Sequence, residues 1–464
     1  MIDFKTIEGI YFVGIGGIGM SAIALYFTRG GFSVGGYDRS ESRITISLKD
    51  SGCSVTYDDD VNSLPALFRN TAEKDKVLIV YTPAIPAENR IISFFRQQGY
   101  RIYKRSEILG EISSNTETLA ISGTHGKTTV STMTAHLLKQ SHVDCSAFLG
   151  GISKNYDSNL LLGESSYTVI EADEFDRSFH RLTPSIAVVT SLDADHLDIY
   201  GDKETMIEAY NIFCGKIKKG GKLVVNSRIR KEIIVPEGVA CYTYGFEKGS
   251  DYHAFNIEHI VDYYRFSIKT PQTTIENIHF PFPGIINIEN LTAAITVALM
   301  CGVEEQEIRK AAILFRGVKR RFDIRINLPG ITYVDDYAHH PEEIKAFIES
   351  IKEYFGGRKL TGIFQPHLFT RTRDHAKGFA AVLDKLDETI LLPIYPAREK
   401  PIEGVSSEMI LERMHSPNKR LLKKEEVVEA LEVKNLDVLL TIGAGDIDTL
   451  VIPVEDKIRK ESAG

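Results

Sequence analysis

Short apolar runs alternate with longer amphipathic stretches along most of this chain. The run IYFVG at residues 10–14 predicts a buried strand, residues 20–28 predict a helix, and residues 32–37 predict a second strand. Further strands are predicted at residues 77–81 and 101–103. Strands joined by helices in this way form parallel sheets, so the first part of the chain is predicted to be a small α/β domain.

The same alternation continues through the middle of the chain. Strands are predicted at residues 118–121, 167–172 and 186–191, with a helix at 131–138. Residues 250–280 are rich in Tyr, Phe, Ile and Thr with period-2 stretches, which predicts an antiparallel meander. Pro281, Pro283 and Gly284 interrupt the chain before a helix predicted at 288–300.

The last part of the chain predicts another doubly wound α/β domain. Its predicted strands lie at 332–335, 360–365, 388–392 and 438–442, and its predicted helices lie at 341–354, 374–386 and 424–431. With 464 residues the chain is long enough for about three domains. We place their boundaries at residues 1–110, 111–319 and 320–464.

The segment ISGTHGKTTV at residues 121–130 lies between a predicted strand and a predicted helix, which is the context of a phosphate-binding loop. Backbone N–H groups at the start of a helix bind phosphate oxygens, a lysine reaches the β- and γ-phosphates, and a hydroxyl binds Mg²⁺. We expect this loop to be exposed. The alternative is a plain strand–helix turn with an exposed lysine, which binds nothing. The candidate ATP-binding residues are Gly123, Thr124, His125, Gly126, Lys127, Thr128 and Thr129.

A second glycine-rich turn follows the first predicted strand. It has the pattern G-x-G-x-x-G, and Asp38 lies 19 positions after Gly19, which is typical of a nucleotide diphosphate site with an acidic residue near a ribose. The alternative is tight strand–helix packing that binds no ligand. The candidate residues of this turn are Gly14, Ile15, Gly16, Gly17, Ile18 and Gly19.

Acidic residues follow two of the predicted central strands. One cluster begins at Glu171, and the second cluster ends at His196. Ligands bind at the carboxyl ends of parallel strands, so both clusters are expected on the same edge of the sheet as the phosphate loop. Glu171 and Thr128 have the oxygen ligands that Mg²⁺ prefers. Each acidic residue could instead cap a helix, and His196 could be a hydrogen-bonded structural histidine.

Basic residues cluster in the third domain. Arg321 ends the run Lys319-Arg320-Arg321, which could neutralise phosphoryl groups or could be a solvated linker. Paired histidines follow the strand predicted at 332–335, but adjacent side chains point in different directions, so zinc binding is not favoured. Arg371 and His367 follow another predicted strand and could bind a carboxylate.

Composition narrows the class of protein. The net charge of −8 does not suggest a general nucleic-acid-binding protein, and no apolar run approaches the length of a membrane span. The N-terminal residues lack the basic and apolar regions of a signal peptide, so we expect a cytoplasmic protein. The five cysteines are far apart and are expected to be buried thiols.

Taken in order, these motifs resemble those of the Mur ligase family, and most of all its alanine-adding branch. The resemblance covers nearly the whole chain. The matching segments are GIGGIGMSAIA (14–24), SGTHGKTT (122–129), EADEFD (171–176), ADHLDIYG (194–201), GVKRRF (317–322), DDYAHHP (335–341), QPHLFTRTRD (365–374), YPAREKPIEGVSS (395–407) and GAGDI (443–447).

The resemblance implies an ATP-dependent ligase with a UDP-sugar-binding Rossmann-like domain, a central phosphate-loop ATPase domain and a C-terminal Rossmann-like domain. It implies that L-alanine is joined to UDP-N-acetylmuramate through an acyl phosphate, in peptidoglycan precursor synthesis. The implied cofactors are ATP and Mg²⁺, with Mn²⁺ as an alternative. A monomer or weak homodimer is expected, with no nucleic-acid or membrane partner.

The resemblance also implies roles for individual residues. Lys127 and Arg321 would contact the phosphates, and Thr128, Glu171 and His196 would hold Mg²⁺. The remaining implied contacts are Asn287 and Asn290 near adenine, Asp336 at the ATP ribose, Asp38, Thr82 and Ala84 at the UDP-sugar, and His340, His367 and Arg371 at the amino acid.

Three positions depart from family patterns. Ile286 replaces a frequent histidine near the adenine site, Leu368 replaces an arginine near the amino-acid site, and Asn211 stands where some members have a carbamylated lysine. The alternative functions are a ligase that recycles a murein tripeptide and, more remotely, an NAD-dependent oxidoreductase or a nucleotide-binding switch without catalysis. A hinge is expected near residues 317–322.

Overall fold

The structure, a computed structural model, describes residues 2–82, 85–86, 88–193, 197–261, 263–397 and 399–462. It contains three β-sheets with helices packed against them. This arrangement confirms the predicted α/β class with three sheet-containing regions. Among the described residues, no helix combines the length and the hydropathy needed to cross a membrane.

The N-terminal sheet is fully parallel and has the strand order β3-β2-β1-β4-β5. Its strands are β1 (Gly9–Val13), β2 (Ser33–Tyr37), β3 (Ser54–Thr56), β4 (Val77–Tyr81) and β5 (Arg101–Lys104). Its helices are α1 (Ile18–Arg29), α2 (Arg43–Asp50), α3 (Ala66–Arg69), α4 (Arg90–Gln97) and α5 (Arg105–Ser114). Strands β1 and β4 are almost completely buried, as expected for a parallel sheet covered on both faces.

The central sheet has ten strands in the order β15-β14-β13-β12-β11-β10-β6-β9-β7-β8. They are β6 (Glu117–Ser122), β7 (Ser146–Ser153), β8 (Ser158–Leu161), β9 (Tyr167–Glu171), β10 (Ile186–Val189), β11 (Lys222–Asn226), β12 (Ala240–Gly245), β13 (Tyr252–Ile260), β14 (Tyr263–Lys269) and β15 (Thr274–Phe280). The helices of this part of the chain are α6 (Lys127–Lys139), α7 (Leu197–Tyr200), α8 (Lys203–Cys214), α9 (Ile285–Met300) and α10 (Glu305–Leu314). Strands β13, β14 and β15 are antiparallel, which confirms the predicted meander.

The C-terminal sheet has the order β16-β17-β21-β18-β19-β20 and is parallel except for the β16–β17 pair. Its strands are β16 (Asp323–Leu328), β17 (Ile331–Asp336), β18 (Leu360–Phe364), β19 (Glu388–Leu391), β20 (Lys419–Leu421) and β21 (Val438–Ile442). Its helices are α11 (Pro341–Phe355), α12 (Phe369–Leu383), α13 (Glu408–Leu411), α14 (Lys424–Ala430) and α15 (Val451–Ser462).

The chain divides into two compact units. One comprises Met1–Phe282 and Asn287–Arg316, and the other comprises Pro283–Ile286 and Gly317–Gly464. In the first unit the N-terminal and central sheets share one hydrophobic core, in which the Tyr26 ring of α1 packs 5.3 Å from the Phe148 ring of β7. The glycine-rich turn and the phosphate loop therefore belong to one continuously packed body.

The cysteines are free thiols, as predicted, but only four of the five are buried. Cys241 is half-buried because it lies on β12, whose first residues are only partly covered. The expectation of five buried thiols was wrong at this position.

Candidate active site

The phosphate loop connects the end of β6 to the start of α6. Gly126 caps the helix with φ of +83°, and Gly123 has φ of +132°. Both values lie in the region that favours glycine. A Cβ at Gly123 would also lie 1.9 Å from Thr190 Oγ1 of the neighbouring strand end. The two glycines are therefore required for the backbone path that presents the first amides of α6.

Lys127 folds back over this loop. Its Nζ donates hydrogen bonds to the carbonyl oxygens of Gly123 at 2.6 Å and Thr124 at 3.3 Å, and to Oε1 of Glu174 at 2.7 Å. The Lys127 side chain is 15% exposed and that of Glu174 is 1% exposed. The expectation of an exposed loop was wrong for this lysine, because the buried Glu174 carboxylate holds it.

Electrostatics keep this lysine charged. Burial disfavours its ammonium, but the neighbouring carboxylates, Glu174 foremost and then Asp173 and Glu171, outweigh that cost and raise the pKa of Lys127. Burial also raises the pKa of Glu174, which Lys127 partly offsets. The phosphate loop therefore carries the positive charge of Lys127 at the place where phosphate oxygens are expected to bind.

Thr128 and Glu171 meet beside the loop. The Thr128 hydroxyl donates to Glu171 Oε1 at 3.0 Å, and the Gly150 N–H donates to Oε2 at 3.0 Å. A Cβ at Gly150 would lie 2.2 Å from Glu171 Oε2, so this glycine makes room for the carboxylate. A hydroxyl at the start of α6 and a carboxylate at the end of β9 fit the hard-oxygen ligand set of Mg²⁺. His196, the third predicted ligand, lies outside the described residues.

The end of β10 lies against the other side of the loop. The Ser191 hydroxyl oxygen accepts from the His125 N–H at 2.8 Å, and Thr124 Oγ1 accepts from the Asp193 N–H at 3.0 Å. His125 Nε2 lies 3.6 Å from Asp193 Oδ2. The two acidic clusters therefore do meet the phosphate loop at one edge of the sheet, as predicted, in the parts that the structure describes. Thr129, half-buried, follows in the first turn of α6.

Helix α9 brings two further candidate residues to the loop. The Asn290 Nδ2 group donates to Asn287 Oδ1 at 3.1 Å, and Asn290 Oδ1 would lie 2.9 Å from a Cβ at Gly126. Asn290 therefore borders the phosphate loop directly. Adenine contact by the pair stays a prediction.

The glycine-rich turn of the N-terminal sheet uses its glycines differently. A Cβ would lie 2.7 Å from Thr82 Cγ2 at Gly14 and 2.9 Å from Asp38 Oδ2 at Gly16. At Gly17 the nearest atom to an added Cβ is a backbone oxygen at 3.6 Å, an ordinary contact. Gly14 and Gly16 thus serve packing, whereas Gly17 is exposed at the cap of α1 and could carry a Cβ without a clash.

The Asp38 carboxylate, at the end of β2, contacts this turn. Its Oδ2 accepts from the Gly16 N–H at 2.7 Å, and its Oδ1 accepts from the Arg39 N–H at 2.8 Å. The carboxylate orders the turn, and ribose contact stays a prediction. Ile15 is buried and Ile18 begins α1. Ala84 lies outside the described residues.

In the second unit two consecutive arginines lie against one ring. The guanidinium carbons of Arg320 and Arg321 each lie 5.1 Å from the Tyr337 ring centroid. Arg320 also pairs with Asp335 at 3.3 Å and donates to the Gly443 carbonyl. Arg320 is therefore structural, and Arg321 is the one of the two arginines that the described contacts leave for a ligand.

Asp336 is buried at the end of β17. Its Oδ2 accepts from the Phe322 N–H at 2.7 Å and its Oδ1 from the Ala338 N–H at 2.8 Å. Burial raises the pKa of Asp336 to about 6, against the opposing effect of Arg321. The carboxylate thus holds the segment after Arg321 in place, and its contact with a ribose stays a prediction.

His339, the first of the paired histidines, lies beside the predicted residues of this region, although the sequence gives it no predicted role. Burial, with contributions from Arg371 and Arg321, lowers the pKa of His339 to about 4, although Glu343 acts in the opposite direction. The His339 ring lies 5.9 Å from the His367 ring. The perturbed environment identifies it, and a sequence alone does not show burial.

The two histidines of the predicted amino-acid site lie in different surroundings. The His367 ring stacks on Tyr395 at 5.7 Å, whereas the His340 ring packs edge-on against His375 at 4.7 Å. Arg371 lies in the first turn of α12, and its Nη1 is buried without a hydrogen-bond partner among the described residues. A buried guanidinium nitrogen without a partner is a suitable site for a carboxylate oxygen.

Models of Mur ligase domains match this chain in three consecutive segments. The Mur ligase family catalytic domain matches residues 9–117, the Mur ligase middle domain matches residues 121–298, and the Mur ligase glutamate ligase domain matches residues 320–445. Together they cover most of the chain. The chain belongs to the Mur ligase family.

Individual relatives narrow this assignment. The chain is 47% identical to a UDP-N-acetylmuramate–L-alanine ligase of Parabacteroides distasonis, over 99% of each chain. It matches the crystal structure of a UDP-N-acetylmuramate–alanine ligase of Thermotoga maritima with a TM-score of 0.81 and 26% identity, over 98% of this chain and 100% of that one. A murein peptide ligase of Psychrobacter arcticus shares the fold, with a TM-score of 0.70 and 20% identity over 97% and 98% of the chains.

Proposed function

We propose that this protein is an ATP-dependent ligase that joins L-alanine to UDP-N-acetylmuramate in peptidoglycan precursor synthesis. The observation that carries the proposal is the phosphate loop, to which the Lys127 side chain is hydrogen-bonded, with the Thr128–Glu171 pair beside it. This site lies in a chain that matches an alanine ligase along nearly its whole length. The reaction transfers the γ-phosphoryl group of ATP to the lactyl carboxylate. The amine of L-alanine then attacks the acyl phosphate, which gives the amide, ADP and phosphate.

The residues of the first unit would bind the nucleotides. Lys127 would neutralise the β- and γ-phosphates, and the amides of the first turn of α6 would bind their oxygens. Thr128, Glu171 and His196 would hold Mg²⁺, which supplies charge neutralisation at the phosphates when bound. Asn287 and Asn290 would contact adenine, and the glycine-rich turn with Asp38, Thr82 and Ala84 would bind the UDP-sugar.

The residues of the second unit would complete the ATP site and bind the amino acid. Arg321 would contact the phosphates and Asp336 the ATP ribose, while His340, His367 and Arg371 would surround L-alanine. An acyl phosphate is rapidly lost to water, so exclusion of water is part of the proposed role of this unit. The domain boundaries at 1–110, 111–319 and 320–464, a monomeric or weakly dimeric state, and a cytoplasmic location belong to the same proposal.

One assay separates this function from its alternatives. Phosphate release from ATP should require both UDP-N-acetylmuramate and L-alanine. Replacing L-alanine with the tripeptide L-alanyl-γ-D-glutamyl-meso-diaminopimelate should abolish turnover, whereas a tripeptide-recycling ligase would prefer it. Phosphate release without an amino acid, or tight binding of NAD, would contradict the proposal.

A further inference from the structure

Glu289 is the one charged residue of helix α9, which otherwise consists of apolar residues, threonines and two asparagines. It is only 4% exposed. Its Oε2 accepts a hydrogen bond from Arg228 Nη2 at 2.5 Å, and Arg228 belongs to the segment directly after β11. The ion pair therefore joins the start of α9 to the carboxyl end of β11.

The pair consists of a buried carboxylate and a half-exposed cation. Burial raises the pKa of Glu289, and Arg228 is the foremost of the groups that oppose this effect. The second carboxylate oxygen lies against the end of β12, because a Cβ at Gly245 would be 3.5 Å from Glu289 Oε1. The carboxylate thus lies at the edge of the sheet where ligands of parallel sheets bind.

The two asparagines of α9 lie on another face of the helix. Asn287 and Asn290 are three residues apart and share one face, where Asn290 Nδ2 donates to Asn287 Oδ1 at 3.1 Å. Asn290 also borders the phosphate loop at Gly126. Glu289 lies between them in the sequence but bonds to the segment after β11. The ion pair therefore fixes the rotation of the helix about its axis, and with it the position of both amides.

Stability alone does not account for a buried carboxylate at this position. Apolar side chains of similar volume often stabilise a protein as well as a buried ion pair does. A close charge-assisted hydrogen bond differs from apolar packing because it is directional and favours one arrangement of the two partners. The pair is therefore suited to holding a precise geometry.

We propose that Glu289 is a positioning residue that, through Arg228, presents the amides of the two asparagines to the base of the bound nucleotide. The inference rests on the proposed function, because that function places ATP at the phosphate loop. A side-chain amide pairs with the N6 amino group and N7 of adenine, whereas guanine has an acceptor in place of that amino group. Correct orientation of the amides should therefore favour ATP over GTP.

The test measures kcat/KM with ATP and with GTP, and the inhibition constant of tripolyphosphate, which has no base. The wild type should prefer ATP. Glu289→Gln should lower the ratio of the two kcat/KM values about 5-fold or more, on the scale of one lost hydrogen bond. Inhibition by tripolyphosphate and the KM for L-alanine should not change, because neither ligand contacts α9 in the proposed complex.

A double-mutant cycle separates positioning from direct contact. Arg228→Gln should reduce the ATP preference as much as Glu289→Gln does, and the double variant should lose no more than either single variant, because all three break the same pair. Arg228→Lys keeps the charge and should recover part of the preference. A larger loss for Arg228→Gln, with additive effects in the double variant, would show that Arg228 itself contacts the nucleotide and would contradict the positioning role of Glu289.

Asp144→Asn is the matched control. Asp144 Oδ1 lies 2.5 Å from Lys139 Nζ at the far end of the phosphate-loop helix α6, so this variant also disrupts a close ion pair of the first unit. It should lower the thermal unfolding midpoint and leave the ATP preference unchanged.

The remaining outcomes distinguish this inference from the proposed function. Unchanged ATP preference in a folded Glu289→Gln variant, or a wild type that uses ATP and GTP equally, would overturn the inference while the proposed function stands. Equal weakening of ATP and tripolyphosphate would show that the pair supports the phosphate loop, and base positioning would be wrong. A wild type without ATP-dependent ligation would overturn the proposed function, and this inference with it.

Discussion

The ammonium of Lys127 lies 2.7 Å from the carboxylate of Glu174, which is 1% exposed. The same ammonium is hydrogen-bonded to two carbonyl groups of its own loop. Without a nucleotide, the loop therefore satisfies its lysine internally. Phosphate binding requires the lysine to exchange at least part of this set for phosphate oxygens, so Lys127 has both a structural and a proposed catalytic role.

These two roles can be separated by a double variant. Lys127→Ala should lower turnover by about 10²-fold or more, on the scale of one lost electrostatic stabiliser. It should also lower the free energy of unfolding by up to about 3 kcal/mol, because it removes the cation that neutralises the buried Glu174 carboxylate. Adding Glu174→Gln should restore stability and leave turnover low. Denaturant unfolding and phosphate release measure the two effects, and turnover that returns with stability would assign Lys127 a structural role only.

The open environment of Gly17 gives a clean test of the UDP-sugar site. The Gly17 backbone has φ of −63° and ψ of 140°, which a valine can adopt, and an added Cβ meets no atom closer than 3.6 Å. Gly17→Val should therefore fold normally, weaken UDP-N-acetylmuramate binding by obstruction, and leave ATP binding unchanged. Calorimetry with both ligands makes the comparison, and an unchanged UDP-sugar affinity would contradict the assignment.

Gly16→Ala is the informative companion to this variant. Its Cβ would lie 2.8 Å from Thr45 Cγ2 and 2.9 Å from Asp38 Oδ2, so we expect a lower thermal unfolding midpoint. The contrast between folding loss at Gly16 and binding loss at Gly17 distinguishes the packing role of the motif from its binding role.

Sequence patterns predicted the parallel sheets and the position of the phosphate loop, because buried strands and glycine turns are local signals. They missed elements that depend on distant residues. Helix α12 begins at Phe369 and not near Asp374, because Glu399 from a remote loop accepts the Thr370 N–H at 3.0 Å and caps the first turn. Strand β20 has only three residues, two of them basic, and becomes a strand through pairing with β19.

The candidate site shows the same difference between features with a local sequence signal and features that depend on distant residues. The ordered motifs identified Lys127 and Glu171, whose chemistry is visible in the sequence. No pattern could show that Glu174 is the buried partner of Lys127 or that Arg228 pairs with Glu289, because these contacts join residues 47 and 61 positions apart. Burial and long-range pairing are properties of the fold.

His339 should make the second unit sensitive to acid. Its pKa is lowered to about 4, so the folded protein keeps the imidazole neutral while the unfolded chain takes up a proton below about pH 6.5. Its contribution to stability is therefore complete above pH 6.5 and is lost as the pH falls to about 4, by up to about 3 kcal/mol. The raised pKa of Asp336, about 6, acts with the opposite sign over part of this range.

His339→Asn removes the contribution of His339 to the pH dependence of stability and keeps that of Asp336. The asparagine amide can still donate to the Tyr337 carbonyl that His339 Nδ1 contacts at 3.0 Å. Urea unfolding between pH 4 and 7 should show a smaller loss of stability on acidification for this variant than for the wild type. Equal slopes for the two proteins would show that His339 titrates in the folded state as it does in the unfolded chain.

Arg371 provides the sharpest test of the amino-acid site. Its Nη1 is buried without a hydrogen-bond partner among the described residues, and it lies close enough to His339 to help lower that residue's pKa. If Nη1 binds the carboxylate of L-alanine, Arg371→Ala should raise the KM for L-alanine about 10-fold or more, on the scale of a lost charge-assisted hydrogen bond. The KM for ATP should change far less, because the phosphate loop binds ATP through residues of the other unit.

Arg373→Ala is the matched control on the same helix. Arg373 is about half exposed and pairs with the neighbouring Asp374 at 2.7 Å, so its removal should leave both KM values unchanged. Amino acids of increasing size with the same α-carboxylate should lose affinity in parallel in the Arg371→Ala variant, since the missing contact is common to all of them. An equal rise in KM for ATP and L-alanine would instead indicate that Arg371 supports the catalytically competent conformation of the protein, and the carboxylate contact would be wrong.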